Sequence, residues 1–268
     1  MEFGGFALAD YLCFQSDKCC KELRRMKVIS FFSAKGGTGK TTFNVLLASY
    51  IKYRLGKRVM ILDFDYPEHN LTFMRQRDLK YLESEGILFR EEDFYPIEPI
   101  NKYAAEDLDW LTGTLNSLSG SLDYLILDFP GSFASGDTIC ELVPEGYIDL
   151  MVLPVELDAM IIASMKSLAH ILRENGQRTL LFFNRVCGRE PKAAYGRVRD
   201  WFAEEGSVIS ENYVKQSVSM KKEMDDVAHV RSTVDFPTAY SNKRNPGIVK
   251  LFEEVLKYAD MEKEEETA

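Results

Sequence analysis

Residues 28–42 read Val28-Ile29-Ser30-Phe31-Phe32-Ser33-Ala34-Lys35-Gly36-Gly37-Thr38-Gly39-Lys40-Thr41-Thr42. An apolar run, a glycine-rich turn and the start of an amphipathic segment follow one another without a gap. That order predicts a strand, a tight loop and the first turn of a helix. Such a loop turns backbone N–H groups toward an anion, and the helix N-terminus adds partial positive charge. The stretch is therefore read as a phosphate-binding loop made by Gly36, Gly37, Thr38, Gly39, Lys40, Thr41 and Thr42. Lys40 is expected to reach the β- and γ-phosphates of a nucleotide, and the Thr41 hydroxyl to hold Mg²⁺. Ala34 stands where such loops usually carry their first glycine, a small residue that the turn tolerates.

Outward from this loop the pattern alternates. Apolar runs lie at 27–33, 58–64, 122–128, 148–155 and 178–184, with helical stretches at 40–55, 69–84, 103–118, 157–174 and 191–205. The runs are apolar at nearly every position, as strands covered on both faces are. Alternation of this kind predicts an α/β fold: a single P-loop domain with a mostly parallel central sheet and helices on both faces. A last helix is expected over 246–260, with Pro246 in its first turn. The domain is expected to occupy 26–260. Residues 1–25 form either an N-terminal extension that docks through Phe3, Phe6, Leu8 and Phe14, or a stretch ahead of a true start at Met26. Residues 261–268 are an acidic tail.

Composition excludes some classes. The chain has 268 residues, of which 46% are hydrophobic, enough for a substantial core. It has no unbroken apolar run of about 18 residues, so no membrane-spanning helix is expected. The five cysteines, Cys13, Cys19, Cys20, Cys140 and Cys187, form no CxxC pair and are read as reduced thiols of a cytoplasmic protein. A formal net charge of −9 argues against a globally basic nucleic-acid binder, but leaves room for a local basic patch.

Polar residues cluster at the ends of the predicted strands, where ligands bind in open parallel sheets. The second strand ends in Leu62-Asp63-Phe64-Asp65-Tyr66-Pro67-Glu68-His69-Asn70. Its aspartates either face the γ-phosphate and Mg²⁺ or cap the next helix. Leu125-Ile126-Leu127-Asp128-Phe129-Pro130-Gly131 is an apolar strand ending in one carboxylate, the form of a Walker B motif. Asp128 is expected to hold Mg²⁺ through water, since that ion keeps much of its hydration shell. Leu180-Leu181-Phe182-Phe183-Asn184-Arg185 ends in an amide and a guanidinium. An amide offers a donor and an acceptor to an adenine edge, and Arg185 could stack on the base; the alternative makes Asn184 a turn residue. The acidic N/T-K-x-D reader of guanine is absent.

Lys35 gives the loop a second lysine, poorly placed to fold back on its own phosphates. With it the loop resembles the deviant Walker A motif of the ParA/MinD ATPases, a resemblance covering about residues 26–260. It implies an ATP-sandwich homodimer in which Lys35 acts in trans, with Lys40 in cis. It also implies that Asp63 and Asp65 orient the attacking water and a Mg²⁺-bound water, and that Asn184 contacts adenine. Tyr66 before Pro67 and His69 near an expected glycine depart from the family pattern. The Asp63–Asn70 segment and Arg231-Ser232-Thr233 are further similar to the ParA-type (TraA-like) proteins of conjugative transposons.

The implied function is an ATP- and Mg²⁺-dependent dimerisation switch with slow ATP hydrolysis. It would serve partition, transfer or regulation of a plasmid, conjugative element or chromosome, with a ParB-like or other stimulating partner. Alternatives are a non-hydrolysing nucleotide-binding scaffold and a MinD-like membrane-site ATPase. The latter needs a basic amphipathic C-terminus, whereas this chain ends Glu262-Lys263-Glu264-Glu265-Glu266, so no membrane contact is expected. Lys215, Lys221, Lys222, Arg231, Lys243, Arg244 and Lys250 form either a strip for non-specific DNA or a solvated surface balanced by Glu223, Asp225 and Asp226.

Overall fold

A computed structural model describes residues 26–33, 35–100, 108–131, 146–216, 233–235 and 246–261. The strands are β1 (Lys27–Phe31), β2 (Val59–Asp63), β3 (Ile97–Pro99), β4 (Tyr124–Asp128), β5 (Leu150–Val155), β6 (Thr179–Val186) and β7 (Ile209–Lys215). The helices are α1 (Lys40–Ser49), α2 (Asn70–Ser84), α3 (Leu108–Leu118), α4 (Ala159–Glu174), α5 (Lys192–Glu204) and α6 (Pro246–Asp260). α1 runs on into a π-helical turn over Tyr50–Arg54. The strands form one sheet in the order β3-β2-β4-β1-β5-β6-β7, and every paired neighbour is parallel.

Two apolar layers sandwich the sheet. Ile29 and Phe31 of β1, Leu180 and Phe182 of β6, and the buried faces of α1 and α6 share one layer. Val28, Leu181 and Phe183 lie in the other, with α3, α4 and α5. Alternate strand residues thus serve opposite layers, as the two-residue period requires. Phe43 of α1 stacks on Phe31 at 5.3 Å and meets the edge of Phe182 at 5.0 Å, which seats the helix directly after the phosphate loop. No helix among the described residues is long and apolar enough to cross a membrane.

Each of the five expected strands is present, and so is the helix over 246–260. Two strands escaped the sequence pattern. β3 has only three residues and ends in Pro99, and among the described residues its one strand partner is β2. β7 is the opposite edge of the sheet, and only Ser210 and Val214 of its seven residues are buried. An edge strand that buries a serine and a valine four positions apart carries no alternating apolar signal. The expectations for 1–25, Ala34, Lys221, Lys222, Glu223, Asp225, Asp226, Arg231, Lys243, Arg244 and the tail beyond Met261 fall outside the described residues. Lys215 and Lys250 are both exposed.

Candidate nucleotide-binding site

β1 is the point where strand order reverses. The chain leaves it toward β2 and β4 on one side and returns to β5, β6 and β7 on the other. The crevice beyond its C-terminal end is where open α/β sheets bind ligands. The loop from Lys35 to Gly39 fills that position. Gly37 and Gly39 have φ of +76° and +93°, a region side chains rarely tolerate. A Cβ at Gly39 would make ordinary contacts, 3.4 Å to the Phe43 ring and 3.6 Å to Asn184 Nδ2, so its positive φ is what calls for glycine.

Gly39 is the N-cap of α1 and offers no side chain to its first turn, and no acidic residue sits there. The leading N–H groups therefore remain available to an anion, with the helix dipole behind them. Ser33 anchors the start of the loop, its hydroxyl accepting from Lys35 N at 3.2 Å. Lys35 itself is exposed. Lys40 is buried and donates through Nζ to Ser33 O at 3.4 Å. Burial holds its pKa below the ordinary lysine value, against the opposing pull of Asp128 and then Asp65. Gly131 lets the end of β4 close in, since a Cβ there would come within 3.3 Å of Lys40 Nζ and 3.5 Å of Gly36 Cα.

Thr41 and Asp128 meet at the end of β4. Thr41 Oγ1 donates to Asp128 Oδ2 at 3.0 Å, and the carboxylate is 1% exposed. Its pKa is pushed up to about 7, chiefly by burial; the hydrogen bond from Asn44 opposes this, while the charge of Asp63 adds to it. Asp63 and Asp128 are register partners on β2 and β4, which is why each feels the other. A hydroxyl beside a buried carboxylate is a hard-oxygen donor pair that suits Mg²⁺.

Asn44 is the residue the sequence reading missed. Fully buried in α1, it donates through Nδ2 to Asp128 at 2.6 Å and accepts from Phe31 N at 3.1 Å through Oδ1. It ties the end of β1 to the Asp128 carboxylate at the end of β4. Its one sequence signal is an amide inside the apolar run Phe43-Asn44-Val45-Leu46-Leu47.

The aspartates of β2 differ. Asp63 is fully buried, and its oxygens accept from Asp65 N at 3.1 Å and from Thr72 N and Oγ1, each at 3.4 Å. Burial raises its pKa, and those backbone bonds oppose the rise. It organises the turn into α2. His69 caps that helix in the left-handed region, φ 42°, with Nδ1 3.8 Å from Asp63 Oδ1. Asp65 is half-buried, accepts from Asn70 Nδ2 at 2.8 Å, and acts electrostatically on both Lys40 and Asp128. Of the two, Asp65 is the carboxylate whose charge acts on Lys40.

Asn184 and Arg185 also reach the site, and both touch the loop backbone. Asn184 Nδ2 donates to Thr38 O at 2.9 Å, and Arg185 Nη2 donates to Gly37 O at 2.6 Å. Lys35, Gly36, Gly37, Thr38, Gly39, Lys40, Thr41, Thr42, Asp63, Asp65, Asp128, Asn184 and Arg185 thus all lie in the loop, at its helix, or at the C-terminal ends of β2, β4 and β6.

Comparison with known proteins finds the same fold. Residues 26–105 match the family described as an AAA domain. An uncharacterised ATP-binding protein of Methanocaldococcus jannaschii is 29% identical over 117 residues, which is 38% of this chain and 44% of that protein. The match therefore spans less than half the length of that curated relative. The MinC:MinD cell division protein complex of Aquifex aeolicus superposes with a TM-score of 0.60 at 18% identity, over 86% of this chain and 96% of the other. A ParA family ATPase of Chlorobium tepidum superposes with a TM-score of 0.57 at 16% identity, over 85% of this chain and 98% of the other.

Proposed function

We propose that this P-loop protein of the ParA/MinD type is an ATP- and Mg²⁺-dependent dimerisation switch with slow hydrolysis. The observation that carries the reading is the meeting of Thr41, Asp128 and buried Lys40 beneath an uncapped helix N-terminus, with Lys35 exposed at the rim. Polyphosphate oxygens supply the partner that a buried ammonium requires. Thr41 and, through water, Asp128 would hold Mg²⁺, which would supply neutralisation of charge on the β- and γ-phosphates. Asp65 orients the attacking water, and Asp63 fixes the turn that presents Asp65.

Lys35 adds the second subunit. An exposed lysine at the mouth of the loop can meet a nucleotide held by a second copy of the chain, so that ATP joins the two. Slow turnover suits such a switch, because the bound state is the signal. The service that fits best is partition, transfer or regulation of a plasmid, conjugative element or chromosome, with a ParB-like partner stimulating hydrolysis. Non-specific DNA contact through the basic residues between 215 and 250 belongs to the same proposal.

Light scattering of wild-type protein and Lys35→Ala with ATP and Mg²⁺ tests the reading. The wild type should double in mass on ATP. The variant should bind ATP but stay monomeric and lose hydrolysis. A variant that dimerises and hydrolyses at the wild-type rate refutes the role of Lys35. Wild-type protein that binds ATP without hydrolysing it marks a scaffold instead.

A further inference from the structure

β6 ends with two side chains on the same stretch of loop, although strand geometry forbids that for consecutive residues. Leu180 and Phe182 pack in the layer under α1, and Leu181 and Phe183 in the opposite layer. Asn184 continues the first series and meets Thr38 O. Arg185 is due on the other face. Instead its backbone enters the left-handed region, φ 53°, and the pairing with β7 slips between Phe183 and Val186. A bulge of this kind re-aims a side chain. Here it swings the guanidinium onto Gly37 O, one peptide from the Asn184 contact.

Arg185 is braced from behind. Its Nη1 donates to Glu156 Oε1 at 2.9 Å, and the Glu156 side chain, just past β5, is only 20% exposed. Asn184 is fixed as well, since its Oδ1 accepts from Arg185 N at 2.9 Å. Two strand ends thus hold two successive loop carbonyls. In a trans peptide the C=O and the following N–H point in opposite directions. Drawing Gly37 O toward Arg185 turns Thr38 N–H the other way, and drawing Thr38 O toward Asn184 does the same for Gly39 N–H.

We propose that Glu156, Arg185 and Asn184 form a latch that aims the Thr38 and Gly39 N–H groups at the polyphosphate of a bound nucleotide. Arg185 is then a positioning residue for the phosphate tail, and its contribution is blind to the base. This rests on the nucleotide-site reading above.

The experiment titrates wild-type protein, Arg185→Gln, Arg185→Lys and Glu156→Gln with MgATP, MgGTP and inorganic tripolyphosphate. Arg185→Gln should weaken all three by a similar factor, about tenfold for a charge-assisted bond, and leave the ATP-to-GTP affinity ratio as in the wild type. Arg185→Lys should recover part of the loss, and Glu156→Gln should fall between. Thermal melting without nucleotide reports folding. If Arg185→Gln does not fold, Glu156→Gln carries the same comparison. Loss confined to ATP, with a changed ATP-to-GTP ratio, overturns the latch in favour of a base contact. Affinities within about twofold of wild type for all three ligands overturn it outright. Wild-type protein that binds none of the three overturns the nucleotide site and the latch together.

Discussion

Asp128→Asn should make the protein more stable and less able to use Mg²⁺. The carboxylate is 1% exposed, and burial is the main force pushing its pKa from 3.8 to about 7. For a carboxylate the sign is unusual. The folded state keeps a proton that the unfolded chain has released, so stability falls as pH rises from about 4 to about 7. Roughly three pKa units correspond to about 4 kcal/mol lost by pH 8. Asparagine carries no charge to bury, and its carbonyl still accepts from Asn44 Nδ2. The bonds from Asn44 and Thr41 favour the carboxylate, and that help is already contained in the raised pKa. The net gain without ligand is therefore about 4 kcal/mol at pH 8, and near pH 4 almost none remains, since Asp128 is then neutral as well. Mg²⁺-dependent ATP affinity should meanwhile fall about 10- to 100-fold. Urea unfolding at both pH values, with ATP titrations in Mg²⁺ and in EDTA, measures both effects. A variant less stable than wild type at pH 8 refutes the charge-burial argument. Unchanged Mg²⁺ dependence refutes the placement of the metal.

Lys40→Ala removes the buried ammonium beside Gly131 and Asp128 and should weaken ATP binding by about 100-fold or more, read by equilibrium titration. Asp78 of α2 is 1% exposed and accepts from Thr233 N at 3.1 Å, Thr233 Oγ1 at 2.7 Å and Arg77 Nη2 at 3.2 Å. Asp78→Ala takes this acceptor from buried Thr233 and half-buried Arg77 and should cost about 3–5 kcal/mol in urea unfolding. Asp123 is held below the usual carboxylate range by its side-chain bonds from Arg58 and by Arg58 N. Its contribution is in place above its unfolded pKa and is lost as pH falls through the lowered folded value. Asp123→Asn should therefore cost up to about 1 kcal/mol at neutral pH and nothing in strong acid, by pH-dependent melting.

What the sequence determined is local and periodic. Consecutive residues carry the loop from Gly36 to Thr42, because a nest of N–H groups is built from neighbouring peptides. Runs that are apolar at nearly every position mark β1, β2, β4 and β5, because a sheet covered on both faces buries most of their side chains. Asp63 and Asp128 could be placed at the ligand edge because each ends such a run. Tertiary structure decided the rest. Asn44 gains its role from a carboxylate 84 residues away, and no local pattern encodes that meeting. β3 and β7 are strands because a neighbour offers an open edge, not because their own residues alternate. Asp63 and Asp65 look equivalent in sequence, yet β2 buries the first to hold the turn and leaves the second half-buried, where its charge acts on Lys40. Arg185 reaches Gly37 only through a bulge that reverses its strand face, and backbone dihedrals of that kind follow from packing between elements rather than from residue type.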